Sequence, residues 1–270
     1  MMFRPKSCAD AGSSASARSR RSSSFGVMTV DESLRITRFA EKPRDPEGIP
    51  GNENFSLGSM GIYVFKANLL YRLLEEQAKR PDTSHDFGRN IIPEALQHLK
   101  VFAYPFKDTH TRVQQYWRDV GTVDAFYEAN MELVHINPEL NIYDEQWPIW
   151  TYQRQFPPAK FVLDDAGRVG MAVNSMVSGG CIVSGAHVNQ SLMFSNVRID
   201  ERSYIERSVL FPDVRVGPNC VIKRAIIDTG GIVPEGTQIG VNPEDDARRF
   251  YMSEQGVALV TRDMLSRLRK

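Results

Sequence analysis

The hydrophobic positions change period once along the chain. Up to about residue 135 they alternate between short strand-like runs and helical spacing. From about Met176 onward they recur every six residues. Residues 25–30 and 34–39 predict two short strands joined by the polar turn Asp31-Glu32-Ser33. Residues 44–54, rich in Pro, Gly, Asn and charge, predict a loop, and residues 61–65 a buried strand. Leu69, Leu70, Leu73, Leu74 and Ala78 stand at helical spacing and predict an amphipathic helix over 67–79. Ser84 is placed to cap a helical segment running to Leu99, with Ile91, Ile92, Ala95, Leu96 and Leu99 inward and Pro93 in the first turn of a new helix. A strand over 101–105 follows. Thr122 then caps a helix carrying Phe126, Ala129 and Leu133 on one side. Strands alternating with helices predict an α/β sheet.

In the C-terminal part Val209, Val221, Ile227, Val233 and Ile239 share one six-residue frame, interrupted by Arg215. Cys220, Ile226 and Ile232 repeat at the same step on the neighbouring frame, and Ile182, Val188 and Phe194 keep that step upstream. Hexads of this kind predict a parallel β-helix in which three hexads make one coil. Gly217-Pro218 and Pro234-Glu-Gly236 mark its corners. Asn242 with Pro243 starts a closing helix, and residues 261–268 form a tail segment over the coil end. Between the two parts, Pro138, Pro148, Pro157 and Pro158 punctuate Trp147, Trp150, Tyr152 and Phe156. So aromatic a connector is expected to be packed rather than free.

Composition adds limits. The 270 residues carry 33 basic and 33 acidic side chains, so no global field argues for nucleic acid or an anionic membrane. No apolar run approaches a bilayer span. Cys8, Cys181 and Cys220 form no close pair, which predicts a reducing, cytoplasmic setting without a disulfide framework. Residues 1–24 are rich in Ser, Ala and Arg, with Asp10 the one acid, and have no apolar period. They read as a disordered or non-native leader, or alternatively as an organelle transit peptide.

Four stretches carry candidate chemistry. In Glu41-Lys42-Pro43, at the end of a strand, Lys42 offers a compact positive charge for a phosphate and Glu41 an acceptor for sugar hydroxyls. Taken alone the tripeptide is more often a surface turn. Ser59 and Tyr63 lie along one strand and can donate to sugar oxygens or simply pack. Asp86-Phe87 pairs an acceptor with an aromatic wall, or opens a helix. In Trp117-Arg-Asp-Val-Gly-Thr122, Trp117 presents a flat apolar face. Asp119 suits a hard divalent cation carrying phosphates, or a helix cap. The histidines show no ligand spacing.

In this order and wording, Phe39-Ala-Glu-Lys-Pro43, Ser59-Met-Gly-Ile-Tyr-Val-Phe65, Ser84-His-Asp-Phe-Gly88 and Tyr116-Trp-Arg-Asp-Val-Gly-Thr122 are informative together. So are Pro157-Pro-Ala-Lys-Phe161, Val177-Ser-Gly-Gly-Cys181, Asp245-Asp-Ala-Arg-Arg-Phe-Tyr251 and Leu259-Val-Thr-Arg-Asp-Met-Leu265. The chain from Phe25 onward, about nine-tenths of it, resembles the glucose-1-phosphate adenylyltransferases, particularly the bacterial ones. The resemblance implies an incomplete Rossmann-like nucleotidyltransferase domain over 25–140, a connector over 141–175, and a left-handed parallel β-helix with its cap over 176–270. It implies a family that makes ADP-glucose and pyrophosphate from ATP and glucose 1-phosphate with Mg2+, for glycogen or starch-like glucan synthesis, as an allosterically controlled homotetramer. Lys42 is then the ligand of the sugar phosphate. Glu41, Ser59, Tyr63, Asp86, Phe87 and Trp117 surround the glucose, and Asp119 is one of two metal carboxylates. Arg262, Asp263, Met264, Leu265 and Ser266 match a segment tied to activation by sugar bisphosphate.

Two departures accompany the resemblance. The family's Gly-rich triphosphate loop is not in the sequence, so the chain alone is expected to be inactive and its sheet to show an unpaired edge. A β-helix arginine that contacts adenylate in some members is Thr229 here. A non-catalytic regulatory or assembly subunit of the same enzyme is therefore the competing expectation. A hexapeptide-repeat acyltransferase is a weaker one, because His187 is isolated.

Overall fold

The computed structural model describes residues 26–49, 55–107, 116–146, 148–162 and 167–268, together with the backbone of 2–7. Most of the expected leader, residues 50–54 of the expected loop, and Trp147 lie outside the described residues. The chain divides into two compact units, Met1–Trp117 and Arg118–Lys270.

The first unit is built on a five-stranded mixed sheet. Its strands are β1 (Met2–Ser7), β2 (Gly26–Val30), β3 (Ile36–Glu41), β4 (Leu57–Val64) and β5 (Phe102–Ala103), in the order β3-β2-β4-β1-β5. The β2–β3 hairpin forms as the sequence predicts, with Met28 opposite Phe39. Asp31 closes its turn by accepting from the Ser33 hydroxyl and from the backbone N–H groups of Ser33 and Arg35. These bonds, led by that of the Ser33 hydroxyl, hold the Asp31 carboxyl below its usual range. The chief surprise is β1. Part of the segment expected as a disordered leader runs antiparallel to β4 and parallel to β5, filling the slot between them. Backbone donors and acceptors facing such a slot need partners, and an extended segment supplies them without any apolar period. The expected unpaired edge is thus partly closed. The sheet's two margins also meet, since Ile36 N–H donates to Val101 and Ala103 N–H to Leu34.

Helix α1 (Ala67–Ala78) forms as expected, yet its only buried residue is Gln77, and Leu74 is exposed. Its leucine stripe therefore packs little within the unit. The strand expected to be buried over 61–65 starts earlier, at Leu57, and exposes Ile62 and Val64 at its far end. The cap expected at Ser84 is Asp86 instead. A π-helical turn, Phe87–Ile91, precedes helix α2 (Ile92–His98), and Pro93 lies in the first turn of α2 as predicted. Ile92, Ala95, Met28, Val30, Ile36, Phe39, Leu57 and Val101 form the core.

The second unit is a parallel β-helix of three sheets. Rungs begin at Lys160–Val162, ahead of the expected start near 176. The repeat is shorter than three hexads. Tyr204 pairs with Val221 and Val221 with Gln238, a step of 17 residues per coil. The fully buried inward line is Val188, Met193, Ile199, Ile205, Leu210, Val216, Ile222, Ile227, Val233 and Ile239, so the interval is five at one corner and six at the other two. The single six-residue frame drifts accordingly. Val221 is only half-buried while Ile222 takes the core place, and the break at Arg215 is an outward residue next to inward Val216.

The short corner explains the drift. Asn174, Gln190, Arg207 and Arg224 each turn it alone in left-handed backbone, at φ 47, 44, 46 and 46°. Each such residue costs about 1–2 kcal/mol. The turn is offset by hydrogen bonds between coils: Gln190, Arg207 and Arg224 donate their N–H groups to Val173, Asn189 and Glu206. Beneath them runs a ladder of serines. Ser175 Oγ accepts from Ser191 N–H, Ser191 Oγ from Ser208 N–H, and Ser208 Oγ from Ala225 N–H. Cys181 and Cys220 are free and buried, donating to Phe194 and Pro234 carbonyls, and burial pushes both thiols up.

Helix α3 (Val123–Glu132), capped by Thr122 as predicted, belongs to this unit and not to the sheet domain expected to extend to residue 140. It covers the outward stack Leu192, Val209 and Ile226. Tyr127 donates its hydroxyl to the Arg207 carbonyl at 2.5 Å, and Asp124 accepts from Ser253 Oγ. Helix α4 (Pro243–Arg249), capped by Asn242, closes the coil: buried Asp246 accepts from Gly240 N–H and pairs with Arg249 at 3.0 Å. Helix α5 (Arg262–Arg267) follows. In the connector Trp150 is 91 % and Tyr152 88 % exposed, whereas Phe156 packs against Gly179 and Gly180.

The serine ladder yields a test. Ser208→Ala leaves the Ala225 N–H and the Glu206 carbonyl without the hydroxyl that joins them, in a corner where Ser208 is fully buried. The expected loss is about 1–3 kcal/mol, read as a lower denaturation midpoint of the C-terminal unit. An unchanged midpoint would remove the ladder from the account of the corner.

Candidate functional site

The end of β3, the middle of β4 and the π-helical turn bring five of the predicted side chains together in the first unit. Tyr63 stacks on Phe87, with ring centroids 5.5 Å apart and planes 17° from parallel. The Ser59 and Tyr63 hydroxyls are 3.5 Å apart. Burial pushes the Tyr63 phenol up; the Ser59 hydroxyl opposes this, and the carboxylates of Glu41 and Asp86 add to it. Tyr63 therefore stays a protonated phenol, able to donate, at neutral pH.

The two carboxylates meet over Gly88. A β-carbon built on Gly88 would lie 2.6 Å from Glu41 Oε2 and 3.4 Å from Asp86 Oδ1. Gly26 borders the same oxygen, its built β-carbon standing 2.9 Å from Glu41 Oε2. Backbone strain sits beside each acid. Lys42, directly after Glu41, has φ 50°, and His85, directly before Asp86, has φ 54°. Non-glycine residues in this region are uncommon and gather at functional positions. The π-helical turn is a second such mark.

Local hydrogen bonds fix Asp86. Its Oδ1 accepts from Arg89 N–H at 2.8 Å, while its own N–H donates to Asn90 Oδ1 at 3.1 Å. Ser84, the expected cap, donates its hydroxyl to the same Asn90 oxygen at 2.7 Å. This is a reciprocal cap, one residue wider than usual because the turn is π-helical. The sequence alone did not single out Gly88, Gly26 or Asn90. An isolated glycine inside an otherwise helical pattern was the available signal for Gly88.

The remaining predicted residues lie elsewhere. Lys42 is exposed at the end of β3, and among the described residues it makes no ion pair. Trp117 is half-buried at the end of the first unit. Asp119 belongs to the second unit, where it is exposed and its Oδ1 accepts from Gly121 N–H at 3.1 Å. No cluster of three or more metal-ligating side chains occurs among the described residues. A lone carboxylate such as Asp119 fits one place in the shell of a phosphate-bound Mg2+, which takes few protein ligands. In helix α5, Leu265 is buried and Met264 packs against the core, leaving Arg262, Asp263 and Ser266 as the polar part of that segment.

What the cluster offers is two adjacent acceptors, two hydroxyls and an aromatic stack. That set suits a polyol whose hydroxyls donate and whose carbon face packs on a ring. The capping role of Asp86 can be separated from any ligand role. Asp86→Asn keeps an N-cap acceptor and should leave thermal stability nearly unchanged, whereas Asp86→Ala should cost about 1 kcal/mol. Equal stability of both variants in a thermal melt would argue against the cap.

The family matches divide the chain later than its contacts do, since the first extends past Trp117 and takes in the Val123–Glu132 helix. Residues 4–135 match the family described as nucleotidyl transferase, and residues 157–260 match the GlmU-like C-terminal hexapeptide family. A glucose-1-phosphate adenylyltransferase of Nitrosococcus oceani is 53% identical over 247 residues, covering 91% of this chain and 58% of the relative. Those of Methylococcus capsulatus and of Shewanella sp. strain ANA-3 are 53% and 54% identical over 241 and 242 residues. The chain thus spans just under three-fifths of the length of these curated relatives. Among the described residues no helix is long and apolar enough to cross a membrane. With both family matches and relatives of this identity along nine-tenths of its length, the chain carries a nucleotidyl transferase region followed by GlmU-like hexapeptide repeats.

Proposed function

We propose that this chain holds the sugar-phosphate side of an enzyme that makes ADP-glucose from ATP and glucose 1-phosphate, for glycogen or a similar glucan. The observation that carries this reading is the convergence of Glu41, Ser59, Tyr63, Asp86 and Phe87 over Gly88. In it, the carboxylates of Glu41 and Asp86 accept from glucose hydroxyls, and Phe87 and Tyr63 form an aromatic wall beside the ring. Lys42 neutralises the sugar phosphate, and Trp117 adds a second flat wall.

In the reaction, an oxygen of the sugar phosphate attacks the α-phosphorus of ATP in line. The bond from that phosphorus to the bridging oxygen breaks, and pyrophosphate leaves with the electron pair. No proton must move, so the protein's task is to position the reactants and neutralise charge. Mg2+, when bound, would spread the phosphate charge. Asp119 would offer it the oxygen not engaged by Gly121. Arg262, Asp263 and Ser266 would be the polar contacts of an allosteric effector, and the working assembly would be a homotetramer.

A second reading is a regulatory or assembly subunit of the same enzyme, which would use the β-helix to oligomerise. Pyrophosphate release from the purified chain with ATP, glucose 1-phosphate and Mg2+, measured alone and then with a complete relative, separates the two. Turnover by the chain alone supports catalysis. Turnover that rises only with the partner supports the subunit role.

Calorimetric titration with glucose 1-phosphate tests the site itself. Removing one charge-assisted phosphate contact by Lys42→Ala should weaken affinity by about ten- to hundredfold. Asp119→Ala, titrated without metal, should leave it unchanged. An undiminished affinity in Lys42→Ala would take the phosphate away from this lysine.

A further inference from the structure

The cradle around Glu41 assigns a role to a residue with no side chain. Glu41 is the last residue of β3, and its carboxylate reaches across to the π-helical turn. It ends 2.6 Å from where a Gly88 β-carbon would stand, closer than real β-carbons approach any atom. Gly88 is buried but has ordinary negative φ, so its backbone does not require glycine. Space is what requires it. The obstructing atom is the far end of a flexible side chain, and an alanine here would move Glu41 rather than break the fold.

We propose that Gly88 is a positioning residue: its missing side chain seats the Glu41 carboxylate beside Asp86, and so sets the sugar specificity of the site. This deepens the sugar-phosphate reading and rests on it. Two carboxylates bordering one point form an acceptor-only corner, which selects ligands presenting neighbouring hydroxyl donors. With Glu41 displaced, one of the two acceptors is lost while Asp86, Tyr63 and Phe87 remain.

The test uses the full chain and three measurements on Gly88→Ala: a crystal structure, a thermal melt and a titration with glucose 1-phosphate. The expected result is an unchanged melt, a Glu41 carboxylate displaced from the cradle, and affinity lowered about tenfold or more, the value of one lost charge-assisted hydrogen bond. In the Gly88→Ala background, Glu41→Asp shortens the acid by one methylene. It should recover part of that affinity while lowering it in the wild type, a compensation that a merely structural role of Gly88 would not produce. Glu41 unmoved, or wild-type affinity in Gly88→Ala, overturns the inference. Should Gly88→Ala fail to fold, Gly88→Ser with Glu41→Asp serves as the second variant, and its failing too overturns the claim that the cost falls on Glu41. A wild type that does not bind glucose 1-phosphate sinks the sugar-phosphate reading, while a displaced Glu41 in the variant still upholds the positioning role.

Discussion

From His187 onward the rungs stack at a constant step of 17 residues, a register that holds only while each corner closes with the same number of residues from one coil to the next. In this β-helix the most demanding corner is the short one, turned by Gln190, Arg207 and Arg224 in left-handed backbone. Its length is fixed from below, because each of these N–H groups finds a carbonyl on the preceding coil. One residue more or less would move the following strand by one place, and side chains that point inward would then point outward. Val216 and Ile222 would leave the core, and Arg215 and Val221 would enter it. The same constraint arranges the outside. With the register held at 17, Leu192, Val209 and Ile226 fall in one outward column, and that column is the apolar seat of the Val123–Glu132 helix.

The first unit depends on a different economy. Its site is assembled from three stretches far apart in sequence, and each acid stands next to a left-handed residue, Lys42 or His85. Two carboxylates side by side repel one another, and neither is placed there for the stability of the sheet. Such an arrangement persists because surrounding packing leaves little alternative. An acceptor-rich corner also discriminates by chemistry: it welcomes hydroxyls and repels a phosphate, so the phosphate of a sugar phosphate must project toward a cation. On the proposed reading that cation is Lys42, the residue after Glu41.

The parts legible in the sequence are those that side-chain period controls. The β2–β3 hairpin, the 67–78 helix, the Thr122 cap and the hexads all announce themselves by spacing or by cap chemistry. β1 does not, since backbone pairing between β4 and β5 leaves no mark on side-chain order. Ser84 and Asp86 are both good capping residues, and choosing between them required the π-helical turn, which follows no common spacing. The six-residue frame was real but too regular, because a corner shortened by one residue looks like any other polar stretch. Glu41, Ser59, Tyr63, Asp86 and Phe87 could be named from the wording of their motifs. Gly88 could not, because what singles it out is the approach of a side chain from a distant strand.

That approach also accounts for the packing around the turn. Ile91, the last residue of the π-helical turn, and Ile92 directly after it are completely buried, with Ala95 one turn on. They anchor the turn to the sheet from behind, while Asn90 and Arg89 fix Asp86 from within. The extra residue of the π-helical turn lets Phe87 lie against Tyr63 while the isoleucines behind it enter the core. A plain α-helical start would rotate the later residues by about 100° relative to the earlier ones, the angle of one residue in a 3.6-residue turn. Either the aromatic stack or the burial of Ile92 would then be lost. The irregular turn is therefore the condition under which one short segment can serve the core with one face and, on the proposed reading, a ligand with the other, and rigid support of that kind is what holds a binding group within a fraction of an ångström.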